Sequence, residues 1–320
     1  MRGAARRLAC MAAAGILAVL ATGSTSNAQD ATPEIVVAGT PNDSGGTIFY
    51  AQDLGMFKKA GLNVKIQSMN NPGSVVAAVI GGSVTIGTLT IPGLAIAREK
   101  GVPIVIIAPG SIYSSATPTS GIIVLKNSPI KKASDLNGKT IATRDLSNLS
   151  YYGAINWMDK NGGDSKSVKW VEVTDTATVP AMLAGRVDAA SVSEPALDDA
   201  VHGPDARMLA AVYDAIGDKF LISGCFTSEA YAKDHPDVVR AFERVIINAG
   251  IWANHNRSQS AKILEKYAGV PVPPEATRVT YAERLRSADA QPVLDMLRSA
   301  GVLKTPLPAA DLFAPGLTTP

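Results

Sequence analysis

Cysteine, histidine and aromatic residues are scarce in this chain of 320 residues. It contains 2 cysteines and 3 histidines, and aromatic residues make up 5% of it. The histidines (His202, His235 and His255) are scattered, and no spacing of His, Cys and Asp suits a metal site. A G-x-S-x-G elbow and a G-x-x-x-x-G-K-S/T phosphate loop are both missing. We therefore expect no metal, no cofactor and no enzymatic activity, with a Ser-His-Asp triad assembled by the fold as an open alternative.

An excess of charge of one sign is also missing. The chain has 30 basic and 28 acidic side chains. The first 28 residues hold three arginines and no acid, so the remainder has 27 basic and 28 acidic side chains. A near-neutral chain lacks the electrostatic footprint of a nucleic-acid-binding protein.

The first 28 residues predict a cleaved export signal. Three arginines precede an apolar stretch of 14 residues at positions 8–21, which is too short to span a bilayer. Ser26, Asn27 and Ala28 then fit a small-residue cleavage site. We expect a periplasmic protein cleaved after about Ala28, with an uncleaved anchor as the alternative. Cys225 then remains as the sole thiol, which excludes an internal disulfide, and its apolar run at 220–226 predicts that it is buried and inert.

The sequence does contain an internal repeat. Residues 76–94 align without a gap with residues 179–197, 103 positions later, and 6 of the 19 aligned positions are identical. Each copy predicts an amphipathic helix, a glycine stop, a short apolar strand, and a proline that opens a new helix. Two similar α/β lobes with a cleft between them are therefore predicted, unless the likeness is one that any two helix–glycine–strand units share.

The order of elements predicts how the lobes connect. Strands and helices alternate up to residue 108, which implies a mostly parallel sheet. Residues 109–120 are rich in Ser, Thr, Pro and Gly and break this rhythm, and the apolar run 220–226 predicts a return crossing. We therefore predict one lobe from residues 29–116 and 226–320 and a second from residues 117–225. Two crossings between two lobes make a hinge that can clamp a ligand.

Candidate ligand contacts follow from where the predicted strands end. Ligands of open α/β sheets bind outside the carboxyl ends of the strands, where loops and helix N-termini meet. A tyrosine in the hinge segment is a further candidate, because it could cover the cleft. The candidates are Thr40, Asn42, Ser44, Thr88, Thr90, Tyr113, Arg144, Asn148, Ser193 and Glu194.

Two of these candidates carry charge, and each has two interpretations. Arg144 could grip a carboxylate or sulfonate with its planar guanidinium, or form a salt bridge at the rim with Asp145 or another acid. Glu194 could accept hydrogen bonds from a ligand amine or ring N–H, or serve as an acid at a helix N-terminus. The hydroxyl candidates could contact a ligand or face water, and Tyr113 could belong to the surface or the core.

At this point the sequence resembles a known family. It is similar to solute-binding proteins of ABC importers, in the group that binds nitrate, sulfonates, taurine and thiamine-pyrimidine precursors. The similarity extends from about Ile35 to Ala268 and rests on the order and spacing of several segments. These segments are residues 50–62 (YAQDLGMFKKAGL), 77–87, 121–130, 133–139 (ASDLNGK), 184–189 (AGRVDA), 194–195 and 235–242 (HPDVVRAF).

The resemblance implies a fold and a function. The fold is the type II periplasmic-binding-protein fold, with two α/β lobes, a central cleft and two crossover segments. The function is capture of a small polar or anionic organic solute (sulfonate, carboxylate or pyrimidine-like) by a monomer that delivers it to an inner-membrane ABC permease. Two alternatives stay open, namely an enzyme resembling the thiamine-pyrimidine synthases and a component that presents its ligand to a sensor. The ligand region shows no signature of any one ligand class.

Overall fold

A computed structural model describes residues 33–69, 71–194, 196–269, 271–272 and 277–318. The predicted signal peptide, residues 1–28, lies outside the described residues. The strands are β1 (Ile35–Gly39), β2 (Val64–Ser68), β3 (Ile86–Thr90), β4 (Ile104–Pro109), β5 (Ser111–Ser114), β6 (Ser120–Leu125), β7 (Thr140–Thr143), β8 (Lys169–Glu172), β9 (Ala189–Ser193), β10 (Ala206–Ala211), β11 (Lys219–Leu221), β12 (Ser223–Ser228) and β13 (Thr280–Tyr281). The helices are α1 (Gly46–Asp53), α2 (Met56–Lys59), α3 (Pro72–Ile80), α4 (Ile91–Glu99), α5 (Leu149–Lys160), α6 (Asp175–Leu183), α7 (Ala196–His202), α8 (Glu229–Asp234), α9 (Pro236–His255), α10 (Arg257–Ala268) and α11 (Gln291–Ser299).

Two five-stranded sheets with matching topology form the two lobes. Lobe one is built on the sheet β2-β1-β3-β12-β4, and lobe two on the sheet β8-β7-β9-β6-β10. In each sheet the first three strands are parallel, and the fourth runs antiparallel to both of its neighbours. The antiparallel strand is in each case the one that the chain enters after crossing from the other lobe. The two lobes therefore share one plan.

The internal repeat of the sequence corresponds to this shared plan. Its first copy spans α3, β3 and the start of α4 in lobe one, and its second copy spans α6, β9 and the start of α7 in lobe two. The bounds of α3 and α6, and those of β3 and β9, differ by 103 residues at both ends. A likeness of composition alone would not place element boundaries at one constant offset.

A small third sheet carries the chain between the lobes. Strand β5 leads from lobe one to lobe two and β11 leads back, and the two pair antiparallel, with β13 on the other side of β5. The segment predicted as a turn-rich crossover at 109–120 thus contains a strand. The return at 220–226 divides into β11 and β12 at Ile222, whose backbone bonds to Ser111 and Ile91 at 2.9 Å each. We call β5, β11 and β13 the hinge sheet.

The lobe boundaries themselves stay a prediction. Strand β12 begins at Ser223 and pairs with β3 and β4 of lobe one, so the predicted boundary between residues 225 and 226 falls within a strand.

Cys225 of this strand is 1% exposed, and burial raises the pKa of its thiol to about 12. The predicted buried, inert cysteine is thereby found.

Helix ends follow local chemistry in two instructive places. Asn148 Oδ1 accepts a hydrogen bond from Tyr151 N at 2.7 Å and so caps the N-terminus of α5. Helices α1 and α2 are separated at Gly55, which has a φ of 64°. A positive φ is accessible to glycine at low cost, and it ends one helix and redirects the next.

In the described ranges, no helix is long and apolar enough to cross a membrane.

The core of lobe one joins its long C-terminal helix to the segment after β1. Phe57 of α2 and Phe242 of α9 stack with their ring centroids 5.5 Å apart, and they are 2% and 0% exposed. Both rings belong to the close-packed core of this lobe. This contact fixes α9 against the N-terminal part of the lobe.

We expect Phe242→Ala to lower the free energy of unfolding by about 3–5 kcal/mol, because it removes a buried ring and leaves a cavity. Leu183→Ala is the control, since Leu183 is 56% exposed and its loss should change stability by less than about 0.5 kcal/mol. Urea denaturation of the two variants measures both values. Equal losses would show that the Phe57–Phe242 contact does not hold α9 in place.

Candidate ligand-binding site

A cavity lies between the two lobes, where the strands of both sheets end. Its volume is about 110 Å³. Lobe one contributes the loop after β1, the end of β3 and Val279, and lobe two contributes the loop after β7, the start of α5 and the end of β9. The lining residues are Asn42, Asp43, Ser44, Thr90, Thr119, Arg144, Asn148, Leu149, Ser150, Asp175, Ser193, Glu194, Tyr213, Ile222 and Val279.

Most of the candidates named from the sequence reach this cavity. Seven of them line it: Asn42, Ser44, Thr90, Arg144, Asn148, Ser193 and Glu194. Thr90 and Ser193 end the two repeat strands β3 and β9, so the repeat places equivalent hydroxyl residues on opposite walls of one cavity. Ser191 is turned away, because it is 1% exposed and its Oγ donates to Ser150 O at 2.9 Å.

Three candidates are elsewhere, and each has a structural partner. Thr40 Oγ1 donates to Met69 O at 3.0 Å. Thr88 packs so tightly against Gly39 that a Cβ there would lie 2.4 Å from Thr88 Oγ1. Tyr113 is 0% exposed and its Oη donates to Asp214 Oδ1 at 2.5 Å. The idea that Tyr113 covers the cleft therefore fails, because its ring belongs to the core beneath the hinge sheet.

Several lining residues are absent from the list of candidates. Leu149 and Ser150 open α5 directly after the candidate Asn148 and lie at the cavity. Asp43 is flanked by two named candidates and could have been included as a third polar residue of the same loop. Val279 and Tyr213 reach the site only through the tertiary fold. The lining residues outside the candidate list are Asp43, Thr119, Leu149, Ser150, Asp175, Tyr213, Ile222 and Val279.

A buried ion pair forms the lobe-one wall of the cavity. Arg278 Nε donates to both carboxylate oxygens of Asp43, at 2.6 and 2.8 Å, and the two residues are 7% and 9% exposed. Arg278 also donates to Tyr50 Oη at 2.9 Å, and Tyr281 Oη donates to Asp43 O at 2.7 Å. Burial raises the pKa of Tyr50 to about 12, so its hydroxyl stays protonated. The Asp43 loop is thereby fixed to a segment more than 230 residues later.

The cationic side chain of the cavity is already paired. Arg144 Nη1 lies 3.4 Å from Asp175 Oδ2, with side-chain exposures of 58% and 28%. Burial raises the pKa of Asp175, and the neighbouring Arg144 opposes that rise. The salt bridge foreseen as one interpretation of Arg144 is thus present, with Asp175 rather than Asp145. Because Arg144 also lines the cavity and is largely exposed, its remaining N–H groups can still meet an anionic ligand.

Glu194 likewise fulfils its structural interpretation while it lines the cavity. Its Oε2 accepts a hydrogen bond from Asp198 N at 3.1 Å, at the start of α7. Burial raises the pKa of Glu194 to about 8, and the charges of Asp198, Asp43 and Asp199 add to that rise. The carboxyl group therefore carries a proton over much of the neutral range unless a ligand brings a positive charge or a hydrogen-bond donor.

A chain of hydroxyl groups fixes what Ser193 can do. Ser120 Oγ donates to Val192 O at 2.9 Å, and Ser193 Oγ donates to Ser120 Oγ at 3.2 Å. A hydroxyl has one proton to give. Because the proton of Ser193 is used in this chain, its oxygen can offer the cavity a lone pair only, and the hydroxyl of Tyr213 is hydrogen-bonded with both Ser193 and Ser120. Toward a ligand, Ser193 can therefore act only as an acceptor.

Comparisons with known proteins identify the family of the chain. The family model described as NMT1/THI5 like matches residues 42–259. The chain belongs to this family. The Escherichia coli (strain K12) taurine-binding periplasmic protein is 26% identical over 226 residues, which cover 67% of each of the two chains. A second match, 32% identical over 94 residues, is the 4-amino-5-hydroxymethyl-2-methylpyrimidine phosphate synthase of Schizosaccharomyces pombe (strain 972 / ATCC 24843), and it covers 29% of this chain and 26% of that enzyme.

A solved structure shows the same fold. The periplasmic aliphatic sulphonate binding protein SsuA from Escherichia coli superposes with a TM-score of 0.73 at 18% identity, covering 89% of this chain and 99% of that one. The predicted fold class is confirmed: two α/β lobes with a central cleft and two crossover segments, as in type II periplasmic binding proteins.

In the part of the chain that the structure describes, no group of three or more His, Cys, Asp or Glu side chains is placed to hold a metal ion.

The buried Asp43–Arg278 pair gives a stability prediction. Arg278→Met should lower the free energy of unfolding by about 3–5 kcal/mol, since it leaves a buried carboxylate without its partner. The control is Arg144→Ala, which breaks an exposed pair and should cost about 0–1 kcal/mol. Chemical denaturation measures both variants. A small loss in Arg278→Met would mean that Asp43 finds water or another donor, and that the pair does not hold the cavity wall.

The raised pKa of Glu194 gives a prediction for pH. The folded protein keeps the proton of Glu194 up to a pH of about 8, whereas the unfolded chain releases it near its ordinary pKa of 4.5. The folded state therefore binds more protons in this window, and its stability should fall as the pH rises through it and level off above. Glu194→Gln should remove this part of the slope in the free energy of unfolding.

Unfolding measured by denaturant at several pH values between 5 and 9 checks this expectation. Glu99→Gln is the control, because hydrogen bonds from the Lys304 backbone and from Thr305 lower the pKa of Glu99, so that its titration lies below the window. The same slope in wild type and Glu194→Gln would show that Glu194 is ionised in the folded protein throughout.

Proposed function

We propose that the chain is the periplasmic substrate-binding protein of an ABC transporter, which captures a small polar organic solute between its lobes for import. The observation that carries the proposal is that polar and charged side chains from both lobes converge on one cavity. A ligand that contacts both walls favours the closed arrangement of the lobes, because those contacts exist only when the lobes are together.

The cavity has a donor end and an acceptor end. The donors are Arg144 and the start of α5, where Asn148 caps the helix and the N–H groups of the first turn attract negative charge. The acceptors are Ser193 and the Glu194 carboxyl. We infer a ligand with an anionic group at one end and a nitrogen that carries protons at the other. An amino-sulfonate fits both ends, and the taurine-binding relative from Escherichia coli is named for a ligand of this class.

A binding role is favoured over an enzymatic one. The curated relative that shares two thirds of its length with this chain is a binding protein, whereas the synthase match covers 26% of that enzyme. We further propose that the mature protein is a periplasmic monomer and that its partner is an inner-membrane permease. Presentation of the ligand to a sensor would use the same clamp, so a pull-down with a candidate permease distinguishes the two roles.

Calorimetry with matched small molecules tests the ligand class. Taurine should bind more tightly than ethanesulfonate, which lacks the amine, and than ethanolamine, which lacks the sulfonate, because each loses the contacts of one end. A thermal-shift screen that includes carboxylates, nitrate and pyrimidines identifies the ligand if it lies outside this class, since a ligand stabilises the folded state alone. Binding of a pyrimidine in preference to taurine would overturn the proposed zwitterion.

Variants of the two charged residues test the two ends separately. Arg144→Ala should weaken taurine binding by about 2–5 kcal/mol where the pair with the sulfonate is desolvated, and Arg144→Lys should recover part of the loss. Glu194→Gln should weaken taurine but leave ethanesulfonate nearly unchanged. If both variants bind the natural ligand as wild type does, neither side chain is a ligand contact and the hydroxyl residues carry recognition.

A further inference from the structure

One side-chain hydrogen bond joins the two lobes at the rim of the cavity. Thr277 Oγ1 donates to Asp198 Oδ1 at 3.2 Å. Asp198 belongs to α7 of lobe two, and Thr277 immediately precedes Arg278, which its pair with Asp43 fixes in lobe one. Among the described residues, no other side-chain hydrogen bond connects the lobes outside the hinge sheet. This contact therefore opposes separation of the lobes.

The same aspartate also holds a wall of the cavity. Asp198 N donates to Glu194 Oε2 at 3.1 Å, so the cavity carboxyl and the first turn of α7 are fixed to each other. Asp198 therefore has two separate contacts: its backbone N–H reaches the cavity carboxyl, and its carboxylate reaches the opposite lobe. A group that fixes Glu194 from the cavity side also fixes the position from which Asp198 meets Thr277.

The surroundings of Asp198 strengthen its hydrogen bond with Thr277. Its side chain is 14% exposed, and His202 Nδ1 lies 3.3 Å from Oδ1 with a ring that is 76% exposed. The charged groups around Glu194 at this end of α7 are acidic, namely Asp198 itself, Asp199 and, across the cavity, Asp43. A poorly solvated carboxylate among like charges gains from each neutral or cationic donor, and Thr277 supplies the donor that comes from the other lobe.

We propose that Asp198 is a positioning residue that couples ligand binding at Glu194 to closure of the lobes, through its hydrogen bond to Thr277. The inference rests on the proposed function as a ligand clamp. The bond is made only when the lobes are together, so it adds to the stability of the closed form without touching the ligand. Its loss lowers the population of the closed form and hence the apparent affinity, while the cavity keeps all its ligand contacts.

Distances across the cleft test the proposal without any ligand. Spin labels are attached after Lys65→Cys and Lys169→Cys, on the exposed faces of β2 in lobe one and β8 in lobe two. Buried Cys225 stays unlabelled. In the ligand-free protein, Thr277→Val should shift the distance distribution toward that of a more open cleft, and Thr277→Ser should restore it. Thr305→Val is the control and should leave the distribution unchanged, because it removes a threonine–carboxylate hydrogen bond to Glu99, of 2.9 Å, that lies within lobe one.

Binding measurements with taurine as the probe supply the second arm. Thr277→Val should weaken apparent binding roughly three- to tenfold, the equivalent of one partly buried hydrogen bond. Asp198→Ala removes the acceptor of the same bond, so Thr277→Val should cost little more in the Asp198→Ala background. Additive losses would show that the two residues act separately and would overturn the proposal.

The two arms separate this inference from the proposed function. If wild type does not bind taurine, the proposed ligand is wrong, and the distance measurement still decides the role of Asp198 and Thr277. A distance distribution that Thr277→Val leaves unchanged overturns the inference, whatever the ligand is. An equal shift in Thr305→Val overturns it as well, because the effect would then follow from the loss of any threonine–carboxylate hydrogen bond and not from the bond with Asp198.

Discussion

The buried pair of Asp43 and Arg278 is the interaction on which the ligand side of this protein depends. It joins the first loop of lobe one to a segment 235 residues later. Through that segment it places Val279 in the cavity wall and Thr277 at the rim. A desolvated ion pair contributes little net stability compared with apolar packing, but it is strongly directional, and loss of one partner leaves a costly buried charge. The pair therefore fixes geometry more than it supplies free energy.

The cavity that it borders is nearly balanced in charge. Arg144 is shared with Asp175, Asp43 is held by Arg278, and Glu194 retains its proton because burial raises its pKa. A site of this kind does not attract anions from a distance. It instead discriminates by requiring a donor and an acceptor at defined ends of the ligand, since an unmatched polar group in a closed cavity loses its water without replacement. The proposed zwitterionic ligand follows from this balance.

The two lobes show how much of the fold could be predicted from the sequence. The repeat at an offset of 103 residues predicted two equivalent lobes, and the bounds of α3 and α6 follow that offset. Periodicity and glycine stops predicted the alternation of strands and helices, because such signals are local, whereas β5 and β13 were not predicted. The break at Gly55 and the division of the return segment into β11 and β12 were not predicted, since a left-handed glycine and a pairing partner 100 residues away leave little trace in a short stretch of sequence.

For the candidate site, the sequence alone determined which loops could meet a ligand. Strand ends, the Asn148 cap and the paired hydroxyls of the repeat are local features, and seven of the ten residues that they suggested line the cavity. The tertiary structure alone determined which side chains of these loops pair with each other. Arg144 pairs with Asp175, Arg278 with Asp43 and Thr277 with Asp198. Tyr113 was a candidate because a tyrosine in the hinge segment could cover the cleft. Its ring is instead buried against Tyr213 and Phe220. The physical reason is that ion pairs and ring contacts depend on distances in space, and residues far apart in the chain acquire those distances only when the sheets and the hinge have formed.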